Sequence, residues 1–287
     1  MEHQKENIHP DSYIEYHIPD AVKIHACLML FAFGFCFPNG LLATRHFKGF
    51  WPGRSFNGLT YWFNLHLFLQ STTTVFVTAA VLTMVIHEAG YPGRVELPFA
   101  AHPAIGMVVF ILIIMSPFIA WMLITSVGSR RMFFRHFHTC IGLLAYTLSV
   151  PLILIGLNMP AMGRRVCAST AYSGMYVVSV IYNFVTEIAF EIIGYFVIVK
   201  TKELRNKYNH LGIDIELVVK RIAVNPRSLN KDSGIPLIES KIEENEQMRK
   251  DFSVIQRWRV VKYFLYAIHV VITFSVTFVL VVMIGGA

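Results

Sequence analysis

Residues 25–45 read HACLMLFAFGFCFPNGLLATR. The stretch opens on His25 and closes on Arg45, with no charged side chain between them. About 20 helical residues cross the ~30 Å hydrocarbon core of a bilayer. No water is available there to satisfy the backbone, so such a run must be helical. Three later apolar runs begin in the same way: His66, His102 and His138 each lie near the start of a hydrophobic helix, one helix and one loop apart.

Working outward, the chain reads as six spans. They run over about 22–45, 60–87, 99–127, from the SRRMFFRHF turn to about 157, 172–199 and 262–284. The expected organisation is a tail over 1–21, a core of five spans over 22–199, a charged loop over 200–259 and a sixth transmembrane helix over 260–287. The fold class is all-α integral membrane. No short apolar segment with a cleavage site precedes the first span, so that span is expected to direct insertion itself.

Of the 287 residues, 55% are hydrophobic and only 15% charged, which sets the chain apart from a soluble domain. The net charge of +7 reads as orientation rather than nucleic-acid binding, because the aromatic residues sit inside the spans. Arg45, Lys48, Arg54, Arg130, Arg131 and Arg135 lie in the loops of one side; Arg94, Arg164 and Arg165 lie on the other. The positive-inside rule puts the richer side in the cytoplasm and both termini outside it, in the plasma membrane or an endomembrane. Cys27, Cys36 and Cys140 fall inside spans and Cys167 is alone, so neither a disulfide framework nor a CxxC site is expected.

This topology sorts the four histidines by depth. Spans one and three start outside and carry His25 and His102; spans two and four start inside and carry His66 and His138. A bis-imidazole haem takes one nitrogen from each of two facing helices. Gly106 and Gly142 follow His102 and His138 by one turn on the same face, where the missing side chain leaves room for a flat ring. Gly34 and Gly40 are expected to give span one the same relief, and Gln70 to bond a propionate or a neighbouring helix. His25 and His102 would hold an outer iron, and His66 and His138 an inner one, ~20 Å apart. A single histidine in a span is as often an interhelical hydrogen-bonding residue. His46, His87 and His136 read as snorkelling at span borders, and His269 in span six has no partner at its depth.

The pieces His25-Ala-Cys-Leu-Met with Pro38-x-Gly40 and Arg45, Trp62-x-x-x-His66-x-x-x-Gln70, His102-x-x-x-Gly106, and His138-x-x-x-Gly142 leading to Gly156-Leu157 resemble the cytochrome b561 family. The resemblance covers about 20–160 and is nearest to the ferric-chelate reductase and DOMON-associated type. It implies a four-helix core with two haem b groups, flanked by further helices. It also implies an oxidoreductase carrying electrons from a cytoplasmic donor such as ascorbate to an outer acceptor such as ferric chelate or monodehydroascorbate. Two features depart from the pattern: no DOMON domain is expected ahead of the core, and Ala101-His102-Pro103 replaces the serine- and tryptophan-flanked histidine of the ascorbate-reducible branch.

Arg45, Lys48, Arg54, Arg130, Arg131 and Arg135 are candidates for haem propionates or an anionic donor, Arg45 first because it occupies a motif position. No side chain is assigned a catalytic role. Glu187 and Glu191 lie one turn apart in span five, where ionisable groups are costly and often functional. The expected partners are lipid, the donor, the acceptor and, as one allowed form, a second copy in a homodimer. The competing reading is a haem-free transporter of a small solute, protons or metal ions; a second is a scaffold that binds through 200–259.

Overall fold

The computed structural model describes residues 18–48, 55–88, 100–159, 162, 166–208 and 246–286. Arg54, Arg94, Arg164, Arg165, the 1–17 part of the tail and the 209–245 part of the charged loop lie outside the described residues, as does the side chain of Cys167.

Span one is α1 (Asp20–Leu30), a π-helical segment (Phe31–Cys36) and α2 (Phe37–His46) in one continuous rod. The wide turn has a cause in the sequence. Pro38 has no N–H to offer the carbonyl of Gly34, and the helix answers by lengthening its bonds, so that Phe37 N–H reaches back five residues to Ala32 O. Asn39 Nδ2 then donates to Phe35 O at 2.8 Å.

The other spans are α3 (Tyr61–His87), α4 (Ala101–Thr125), α5 (Gly128–Leu157), α6 (Val166–Tyr208) and α7 (Glu246–Gly285). Six helices among the described residues are long and apolar enough to cross a membrane. The one sheet among them is a two-residue hairpin before α3, β1 (Ser55–Phe56) with β2 (Leu59–Thr60). Asn57 and Gly58 turn it with φ of 57° and 76°, the left-handed pair that a tight hairpin needs.

The bounds of three helices, α5, α6 and α7, differ from the sequence expectation. The SRRMFFRHF stretch is not a turn: it is the first part of α5, and only Ser126 and Val127 separate α4 from α5. The reversal is made by Gly128 at φ 61°. Spans five and six also run on beyond 199 and start before 262. The 43 residues of α6 are ~65 Å long at the helical rise, about twice the hydrocarbon thickness. Its extension is tied to that of α7 by Lys207 Nζ on Asp251 at 2.7 Å, and the Phe196 ring just before it stacks on Trp258.

Span one is the axis of the bundle. Of its apolar stretch 61% is buried, against 17 to 33% in the other five. It packs against α3 on one side and α7 on another, α4 and α5 pair closely, and α6 pairs with α7. The core follows this order, with Phe33, Phe37, Val77, Ile113, Leu152 and Leu280 in one buried cluster. The outward surfaces are apolar: Phe68, Phe118, Phe184 and Phe264 are each at least 65% exposed, as lipid-facing residues are.

Two paired histidine sites

The four histidines meet in two pairs. His25 of α1 and His102 of α4 have ring centres 6.1 Å apart, at 71°. His66 of α3 and His138 of α5 are 6.3 Å apart, at 82°. Each pair joins helices that are not neighbours in sequence.

A second contact fixes each ring. His25 Nδ1 lies 3.0 Å from Ala80 O, His66 Nδ1 3.1 Å from Gly40 O, and His102 Nδ1 3.0 Å from Leu152 O. A carbonyl only accepts, so in these three rings Nδ1 carries the hydrogen and Nε2 keeps its lone pair. His138 Nδ1 has a longer contact, 3.5 Å to Ser116 Oγ. Tethering one ring nitrogen to set the tautomer of the other is the usual support of a metal-binding imidazole.

The donor set fits haem iron. A linear bridge with metal–nitrogen bonds of about 2.0 Å, and ring centres roughly 1.1 Å behind each nitrogen, puts the ring centres about 6.2 Å apart. The observed 6.1 and 6.3 Å agree. Beside His138, a Cβ on Gly142 would meet nothing within 4 Å, and one on Gly106 would meet only Leu152 Cδ2 at 3.8 Å. Neither glycine has protein crowding the place of its missing Cβ.

The other two glycines have a different use. A Cβ on Gly34 would come 3.0 Å from Thr277 Oγ1, and one on Gly40 would come 2.6 Å from Gln70 Nε2. They let α7 and α3 approach span one, and do not open space beside a histidine. Gln70 accordingly donates to Phe37 O on the neighbouring helix at 3.3 Å. Gly156 belongs to the same class: its Cβ would lie 2.7 Å from His102 Cε1. The sequence showed Gly156 only as part of a motif, since its contact with His102 comes from the pairing of α4 and α5.

The cationic candidates separate. Arg45 Nε is held by Glu191 at 2.6 Å and Glu187 at 3.0 Å, so it faces carboxylates of span five and not a histidine pair. Lys48 Nζ lies over the Trp62 ring at 5.3 Å. Arg130, Arg131 and Arg135 are exposed on the first turns of α5. His46, read as a snorkelling border residue, is 8% exposed, stacks on Phe190 and places Nε2 3.0 Å from Glu187. His46, Glu187 and Glu191 bring their ligand atoms within 4.8 Å of one another. The guanidinium on both carboxylates makes this an ion-pair node joining spans one and five.

Comparison with known proteins gives the affiliation. Over 145 residues the chain is 31% identical to a putative ferric-chelate reductase 1 of Danio rerio, covering 50% of this chain and 24% of that one. Over 141 residues it is 28% identical to ferric-chelate reductase 1 of Homo sapiens, covering 49% and 23%. The Mus musculus ferric-chelate reductase 1 is 25% identical over 175 residues, covering 61% and 28%. The chain thus spans about a quarter of the length of the curated relatives it matches. No family model and no solved structure matches it. The resemblance read from 20–160 is borne out as a similarity: over about half its length this six-span helical chain is similar to ferric-chelate reductases.

Proposed function

We propose that the chain is a transmembrane oxidoreductase that passes single electrons from a cytoplasmic donor to ferric iron on the other face, through two haem b groups held by His25 with His102 and by His66 with His138. The observation that carries this reading is the pair geometry: two facing imidazoles per site, Nδ1 tethered, ring centres 6.1 and 6.3 Å apart. Bound there, haem iron supplies a reversible one-electron couple.

The chain's own residues do the rest. Ala80, Gly40 and Leu152 hold three rings by their carbonyls, and Ser116 approaches the fourth. Gly106 and Gly142 leave space next to His102 and His138. Phe33, Phe37 and Tyr146 pack the helices together, Phe37 and Tyr146 stacked at 5.3 Å, and exclude water from the core. Arg130, Arg131 and Arg135, with Lys48, make the His66–His138 end positive, which draws an anionic donor such as ascorbate. That end is the cytoplasmic one by the positive-inside rule, and both termini are then extracytoplasmic.

The test is a vesicle assay. Chain reconstituted in liposomes loaded with ascorbate, facing external ferric citrate and a ferrous-specific dye, should turn over one iron per electron and leave monodehydroascorbate inside. H138L should abolish the signal. No external ferrous iron from vesicles whose protein is visibly reduced would overturn ferric citrate as acceptor; no reduction by ascorbate would overturn the donor.

A further inference from the structure

Span six is apolar toward lipid and polar toward the protein. Lys262, Tyr266, His269, Thr273 and Thr277 recur every three or four residues, which is one stripe of a helix. All five are buried, at 9% exposure or less, while Phe264, Val271 and Phe278 on the other surface are exposed. Span six therefore turns its polar face inward, where a membrane protein keeps polar groups for a purpose.

His269 is the centre of this stripe. It is fully buried, and neither ring nitrogen has a hydrogen-bond partner among the described residues. Its ring stacks on Tyr182 of α6 at 5.4 Å. A neutral imidazole always presents one donor and one acceptor, so two polar atoms are unmet in the membrane interior. Asn39 Oδ1 and Asn183 Oδ1 are also buried without a partner. Asn39 donates to Thr273 Oγ1 at 3.0 Å, and Thr273, one turn beyond His269, donates to His269 O at 2.8 Å. Asn183 follows Tyr182 on the next helix. The unmet set is rich in acceptors and neutral overall, which suits water, a ligand that bridges buried polar groups with two to four bonds. It does not suit a bare cation.

The inner end of the same junction is charged. Glu187 stands one turn after Asn183 on α6, 28% exposed, and bonds His46 and Arg45 of α2. The titratable groups around His269 are Tyr182 and Glu187 from α6 and Lys262 and Tyr266 from its own helix, with His46 reached by way of Glu187.

We propose that His269, Asn39 and Asn183 hold water within the membrane, in a buried polar site between spans one, five and six whose inner end is the Glu187–His46 contact. The site is separate from both histidine pairs and stands whether or not those pairs hold haem.

The test is nuclear magnetic resonance of the full chain in lipid bilayers with ring-labelled histidine nitrogens. Subtracting the H269Q spectrum identifies the His269 signals; H269F, which keeps an aromatic ring against Tyr182, supplies the same subtraction if H269Q misfolds. The expected result is magnetisation transfer from water to the His269 ring. A ring that receives nothing from water overturns the proposal.

Discussion

Gly156 lies against the ring of His102: a Cβ on this glycine would sit 2.7 Å from Cε1, inside any real contact. His102 also takes its Nδ1 partner, Leu152 O, from the same helix, one turn earlier. The imidazole is thus clamped by α5 although it is carried by α4. We predict that G156A displaces the ring and costs the outer pair its cofactor while the inner pair keeps its own. Haem per chain should fall from two toward one, with the inner-haem spectrum unchanged. Full retention of both would show that the clamp has no role in binding.

Gly142 gives the opposite kind of position, with nothing within 4 Å of its absent Cβ. A side chain there starts in open space. G142L should leave the helical content and thermal unfolding of the haem-free chain unchanged and weaken haem binding at the His66–His138 pair. Circular dichroism of apoprotein with a haem titration separates the two effects.

Ser116 is the weakest of the four tethers, at 3.5 Å from His138 Nδ1. Removing a supporting partner of a metal-binding histidine typically costs about 10- to 100-fold in affinity. The long contact puts S116A at or below the lower figure, about tenfold or less, read by competitive haem transfer to apomyoglobin.

Arg45 and Glu191 make the shortest ion pair in the inner node, at 2.6 Å, but their side chains are 59% and 51% exposed. Exposed pairs contribute about 0–1 kcal/mol. Glu187 is the more buried carboxylate, and its loss strips the Nε2 partner from His46, whose side chain is 5% exposed. Leaving a buried group unsatisfied costs about 1–3 kcal/mol. E187A should therefore destabilise the chain more than R45A or E191A, as read by thermal unfolding in one detergent. Equal effects would contradict this account of the node.

The spans were legible because ~20 uncharged residues in a row have one solution in a bilayer. His25, His66, His102 and His138 were legible because alternating span direction converts sequence position into depth. The start of α5 was not: SRRMFFRHF carries the charge of a loop, yet Gly128 alone makes the reversal and the arginines ride on exposed helical turns. Gly34 and Gly40 looked like Gly106 and Gly142, since a glycine against a neighbouring helix and a glycine beside open space are identical in sequence. The surroundings of His46, which reads as a border residue, and of His269, which has no partner at its depth, are not legible because Glu187 and Tyr182 come from span five and only packing brings them close. The polar stripe of α7 was hidden by dilution, one polar residue in three or four inside an apolar run.

The central claim is that two histidine pairs each hold one haem. Its most direct test is haem per chain, by pyridine haemochrome, in wild type, H102L, H138L and the double variant. The account predicts two, one, one and none, with the surviving haem of each single variant still reducible by dithionite. A folded wild-type chain that takes up no haem, or single variants that each keep both, would contradict it.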